Sequence, residues 1–241
     1  MRLYSYCIPV DDGAAPNPYW GKCTLAICKP AIRRTATSGD WVVGVGSKKS
    51  PIGDISGQVV YAMEVSEVMT MREYDQWTTE NLPNKIPDLK SQNYARLVGD
   101  SIYRFGSVTS KKGRVSQRPS VHGKLDQKRD LSGCNVLLSD HFFYFGDKPV
   151  VLPKELMPIV HQTQGHKVRL NHKYRSQFVD WIEQVAKPGI HGDPATNIRN
   201  MCARTRARCI RENDERTCSA NVCALPSRSS GYRKVLSVQC R

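Results

Sequence analysis

Six histidines, at positions 122, 141, 161, 166, 172 and 191, are the side chains of this 241-residue chain best matched to proton transfer near neutral pH. Ser120-Val121-His122 and Asp140-His141 could converge with a nucleophile in a hydrolytic arrangement, the imidazole taking the proton and a carboxylate orienting it. His191-Gly192-Asp193 sets an imidazole and a carboxylate two residues apart in a sharp loop. That spacing suits an acid–base pair or a metal, and equally a structural turn between Gly and Pro residues. The candidate catalytic residues are therefore His122, Asp140, His191 and Asp193. Against catalysis stands the absence of a Gly-x-Ser-x-Gly elbow, a phosphate-binding loop or a dinucleotide glycine fingerprint.

Cysteine chemistry is equally sparse. Cys23 and Cys28 are five residues apart on one expected strand, so their side chains point to opposite faces. Cys202 and Cys209, and Cys218 and Cys223, lack the short paired spacing of zinc knuckles and ribbons. No metal site and no cofactor is expected. The chain has nine cysteines, an odd number, and opens on a segment too polar for a secretory signal. Reduced thiols and a cytoplasmic location follow as expectations, and no apolar run is long enough to cross a membrane.

The elements that must position these residues are mostly strands in the first part of the chain. Leu3–Ile8 reads as a strand, followed by the turn-rich "DDGAAPNPYWG" and a second strand around Cys23–Cys28. Pro30 opens a short turn or helix over 31–37, and Trp41–Ser47 forms the strand of "GDWVVGVGSKK". Residues 58–69 form a long strand, after which Thr70 and Glu73 make a capping box. "NVLLSDHFFYFG", 135–146, divides into two strands near Asp140, and 174–186 places Phe178, Trp181, Ile182 and Val185 on one helical face. Strands first and helices capping them indicate an α+β fold with a curved or barrel-like, mostly antiparallel sheet.

Charge divides the chain as well. There are 36 Lys+Arg against 22 Asp+Glu, a formal net charge of +14, which favours a polyanionic partner. Residues 195–241 hold nine Arg and one Lys against three acidic residues, a surplus of 10 − 3 = +7. That segment has little apolar content and reads as a basic, poorly ordered tail beyond a folded domain spanning 1–194, with a basic helix from Thr196 to Ile210 as the element it could form.

The blocks "APNPYWGKCTLAICKPAIRRTA", "GDWVVGVGSKK", "VYAMEVSEVMTMREY" and "SDHFFYFG" together resemble the nucleotide modification associated domain 2 family over residues 1–194. The Gly-Asp turn and its strand also resemble the small PUA/EVE-like barrels, in which such a strand ends at a pocket for a flipped or modified base. The resemblance implies a module that binds a modified base or nucleotide and is associated with DNA base modification systems. Its alternatives are an enzyme acting on such a base, or a structural accessory protein. A base pocket requires stacking faces, fixed polar edges and cations for the flanking phosphates. Tyr19, Trp20 and Trp41 could supply faces, Asn17, Asp40 and Ser47 edges, and Arg33, Arg34, Lys48 and Lys49 the cations. Trp41 suits the core as well as a stack, and Asp40 could serve only its turn. The implied partner is nucleic acid or a modified nucleotide.

Overall fold

A computed structural model describes residues 1–106 and 115–198. Its strands are β1 (Leu3–Ile8), β2 (Cys23–Leu25), β3 (Trp41–Gly46), β4 (Gln58–Glu64), β5 (Glu67–Thr70) and β6 (Tyr103–Phe105). They continue with β7 (Val115–Gln117), β8 (Asn135–Ser139), β9 (His141–Tyr144), β10 (Val150–Val151) and β11 (Gly189–Ile190). The helices are α1 (Pro30–Thr35), α2 (Met71–Asn81), α3 (Tyr94–Leu97), α4 (Gln127–Leu131) and α5 (Arg175–Val185).

A six-stranded sheet runs β1-β3-β4-β9-β11, with β10 also on β4. β1 pairs with β3 in parallel, and β9 with β11 likewise; β3-β4 and β4-β9 are antiparallel. A second sheet, antiparallel throughout, runs β2-β8-β5, and β6 pairs with β7. The β-branched residues of β3 explain the arrangement, because both faces of that strand are apolar and both must be covered. Tyr4, Tyr6, Val42, Met63 and Tyr144 pack on Cys23, Leu25 and Leu137, filling the space between the two sheets. Leu3, Trp41, Val43, Ala62 and Phe143 face the opposite way, onto Leu156, Ile159, Phe178 and Ile182. Val136 and Leu138 on the far side of β8 meet Met71 and Tyr74 of α2. The result is helix, sheet, sheet, helix.

The fold is α+β as expected, but the sheets are open and no closed barrel forms among the described residues. Burial of both faces of the larger sheet under separate layers removes the need for closure. The likeness to PUA/EVE barrels, which rested on one turn and its strand, gains no support. The capping box at Thr70 is formed, with Glu73 N–H donating to Thr70 Oγ1 at 3.2 Å and Thr70 N–H to Glu73 Oε2 at 2.7 Å. The second strand stops at Leu25, so Cys28 lies in the turn beyond it rather than on a strand face. Chain packing continues past residue 194, since Thr196 N–H donates to the Asp11 carbonyl at 2.8 Å. The basic tail and its expected helix fall, beyond Ile198, outside the described residues.

Candidate functional site

The turn between β2 and α1 puts two consecutive non-glycine residues in the left-handed region, Cys28 at φ 56° and Lys29 at φ 38°. Such backbone is costly for an L-residue and persists only where its surroundings hold it. Here the holding group is Asp130 of α4, fully buried, whose Oδ1 accepts the Cys28 N–H at 2.9 Å. The other oxygen, Oδ2, meets His122 Nδ1 at 2.5 Å and accepts the Tyr103 hydroxyl at 2.9 Å. On the far side of the imidazole, Nε2 lies 3.4 Å from Cys28 Sγ. Burial alone would lower the His122 pKa, but the charges and hydrogen bonds of Cys28 and Asp130 outweigh it and raise the imidazole well above its ordinary value. Burial likewise works against an ionised Asp130, yet His122, the Cys28 N–H and Arg33 keep its carboxyl below the usual range. His122 thus has a carboxylate partner, though not Asp140. Its carboxylate is Asp130, whereas Asp140 is exposed and pairs with Lys22 at 2.6 Å.

A second locus opens where α1 meets the segment before α5. A cleft of about 540 Å³ is lined by Arg2, Tyr4, Arg34, His166, Arg169 and His172, together with small or apolar residues of the same elements. Three arginines, two histidines and no carboxylate line it. The Arg2 guanidinium lies 5.3 Å from the centre of the Tyr4 ring, which itself stands 5.7 Å from the His166 ring. Burial, and then repulsion from His161 and Lys29, lower the His166 pKa.

The remaining expected site residues divide by burial. Asn17 is inaccessible, its amide donating to the Gly13 and Val98 carbonyls and its Oδ1 accepting from Lys85 Nζ at 2.7 Å. With these bonds made inside the fold, it offers no free edge to a base. Trp41 is core, 6.3 Å from Phe143 in a stacked pair and edge-on to Phe178. Asp40 is buried in its turn, binding Arg2 Nη2 at 2.7 Å and the Thr37 N–H at 3.0 Å. Burial opposes the Asp40 charge, but those donors win and hold its carboxyl below the usual range. Arg33, expected on a phosphate, is fully buried instead; it binds the carbonyls of Cys28, Asn135 and Asp130. Burial pushes its guanidinium down to about 10.

Arg34, Lys48 and Lys49 do face solvent, and Ser47 Oγ accepts the Lys49 N–H at 3.1 Å within the turn. Tyr19 and Asp193 share a separate cleft of about 400 Å³ with Tyr94 and Pro194. The neighbouring Trp20 is half-buried, its indole N–H without an acceptor among the described residues. His191 binds the Lys187 carbonyl at 2.8 Å and stacks on Phe145, while Asp193 lines the Tyr19 cleft.

The residues expected at a site from the sequence did not include Cys28, Asp130, Arg2, His166, Arg169 or His172. Asp130 sits in a five-residue polar helix without apolar periodicity, so no pattern marked it. Cys28 was hidden by the assumption that its strand ran on.

The model of nucleotide modification associated domain 2 matches residues 1–201, a span that includes every strand and helix described above. The chain belongs to that family. Membership places this nucleotide modification associated domain 2 protein in the setting of nucleotide modification. No curated protein and no solved structure matches the chain. No helix among its described residues is long and apolar enough to cross a membrane.

Proposed function

We propose that this nucleotide modification associated domain 2 protein binds a nucleic acid strand or nucleotide carrying a modified base, with phosphate held in the Arg2–Arg34–Arg169 cleft. The observation that carries the reading is the cleft itself, three guanidinium groups and two imidazoles without a lining carboxylate. Arginine matches phosphate oxygens in a planar fork, and a site lacking acidic residues keeps that attraction undiminished. Arg2 is partly committed to Asp40, so Arg34 and Arg169, both exposed, are the cations most available to a ligand. The family supports the nucleotide setting, and the net charge of +14 supports a polyanion.

The test is fluorescence anisotropy of the full chain with matched plain and hypermodified single-stranded oligonucleotides across a salt series. Arg34→Ala with Arg169→Ala should weaken both complexes by about ten-fold and reduce the salt slope by roughly 1 to 2, as the loss of two phosphate contacts requires. An unchanged slope in a folded double variant would remove the cleft from the binding surface. Equal affinity of the wild type for plain and modified strands would remove the modified base from the reading.

A further inference from the structure

We propose that Cys28, His122 and Asp130 form a catalytic thiol centre, in which a Cys28 thiolate attacks the carbonyl carbon of an acyl group carried as an amide or ester. The geometry is that of a relay. The two imidazole nitrogens face opposite ways, Nε2 to Cys28 Sγ at 3.4 Å and Nδ1 to Asp130 Oδ2 at 2.5 Å. A metal ion would require one nitrogen, the sulfur and a carboxylate oxygen to converge on a single point. One donor atom from each of the three side chains lies within 4.8 Å of the others, yet both ring nitrogens are already engaged, one by sulfur and one by the carboxylate. That pattern instead gives a nucleophile, a base in contact with it, and a third group fixing the base's orientation.

The surroundings fit the same role. Cys28 is a free thiol and partly exposed, while Asp130 is wholly buried and His122 nearly so. The nucleophile occupies a strained turn between a strand and a helix, an arrangement that presents a side chain while its backbone is held rigidly. Asp130 does not touch a substrate; it is a positioning residue acting through His122. The charged and titratable groups around the pair are Asp130 with Arg129 of α4, Arg33 of α1, Tyr103 of β6, Tyr6 of β1 and Asp12 of the first loop. The imidazolium is favoured by its thiol and carboxylate partners, which is the ionisation a reactive thiolate needs.

The reaction balances with water as its only co-reactant. In the first step Cys28 passes its thiol proton to His122 Nε2. Sulfur then forms a C–S bond, the carbonyl electrons move to oxygen and return, and the C–N or C–O bond breaks as His122 gives its proton to the departing amine or alcohol. A water molecule, deprotonated by His122, attacks the thioester; the carboxylic acid leaves and the sulfur recovers its thiolate form. The imidazole is needed because an amine or alkoxide leaves poorly unless protonated. This chemistry stands on the three side chains alone. That the acyl group is borne by a nucleotide rests on the proposed function, supported by α1: the helix that begins two residues after Cys28 lines the basic cleft with Ala31 and Arg34.

Alkylation of the full chain by iodoacetamide, followed at each cysteine by peptide mass spectrometry from pH 5.5 to 9, tests the centre. Cys28 should react at pH 6 at least about ten-fold faster than Cys7, because an ordinary thiol is almost wholly protonated there. In His122→Gln that advantage should vanish and the Cys28 rate should climb about ten-fold per pH unit toward 8.5. Asp130→Asn should shift the profile in the same direction, and His122→Gln carries the test if that variant does not fold. Matching Cys7 and Cys28 profiles, unaltered by His122→Gln in a folded protein, would overturn the proposal. So would reactivity released only by a chelator, the outcome for a metal site. Exposure to p-nitrophenyl acetate should then leave an acetyl group on Cys28, lost in His122→Gln, and its absence would also overturn the acyl chemistry. Release of acetate from an oligonucleotide containing N4-acetylcytosine would assign the nucleotide as acyl carrier. Acetylation of Cys28 without that release would keep the thiol centre and overturn its nucleotide-borne substrate, whatever the result of the strand-binding experiment.

Discussion

Arg33 and Arg34 are neighbours of the same type with opposite duties. Arg33 is buried and donates to three backbone carbonyls, whereas Arg34 is exposed on the cleft and donates to the Ser132 carbonyl. A lysine at 33 has one nitrogen where the fold needs a fork. Arg33→Lys should cost about 3 kcal/mol or more in urea denaturation. Arg34→Ala should stay within about 0.5 kcal/mol while weakening oligonucleotide binding. A small loss for Arg33→Lys would mean that the buried fork is dispensable.

Asp11 gives a pH signature at the same scale. Burial raises its pKa to about 6, against an ordinary 3.8, although the Tyr144 hydroxyl and the Gly13 N–H oppose the rise. Between these values the folded state binds more protons than the unfolded one, so this carboxyl adds stability as pH falls from 6 toward 4. Asp11→Asn should remove that contribution. The difference in Tm, wild type minus variant, should become more positive from pH 7 to pH 4; a difference independent of pH would count against a buried, protonating Asp11.

At the scale of the element, the β3 strand shows how packing rather than propensity chooses a residue. A Cβ at Gly44 would overlap Ile8 and stand 2.5 Å from the Tyr61 ring, at the point where the β3-β4 register shifts. Gly44→Ala should therefore destabilise the protein by about 1–3 kcal/mol despite alanine's lower unfolded-state entropy. A stabilised variant in thermal melts would show that β1 and β4 yield easily. Local signals marked other elements well: Pro30 heads α1, Thr70 and Glu73 cap α2, and the apolar stripe of Phe178 and Ile182 is the buried side of α5. The pairing of these elements was less legible. Nothing local tells β1 to lie parallel to β3, or keeps the sheet open, because those choices depend on α5 and the second sheet competing for opposite faces.

For the whole molecule the question is how the charge is distributed. Half of the +14 belongs to residues 195–241, whose ten cations face three acidic residues. Phosphate contacts position a strand without reading it. Truncation after Ile198 should lower the salt slope of oligonucleotide binding by at least about 2 and leave any preference between plain and modified strands intact. Far-UV circular dichroism of the truncated protein checks that the fold persists. A preference that disappears with the tail would place recognition there.

By itself the sequence determined the α+β class, the caps, the apolar stripes, the excess of cations and the membership of the nucleotide modification associated domain 2 family. These are carried by short-range spacing and composition, which need no knowledge of the distant chain. The tertiary structure decided what each polar residue is for. Asn17, Asp40 and Arg33 look like ligand groups until burial shows their hydrogen bonds made within the fold. Cys28 looks like a strand residue until Asp130, 102 positions away in sequence, accepts its backbone N–H and holds His122 against its sulfur. A side chain's chemistry is set by its solvation and its partners, and both are supplied by segments that only folding brings together.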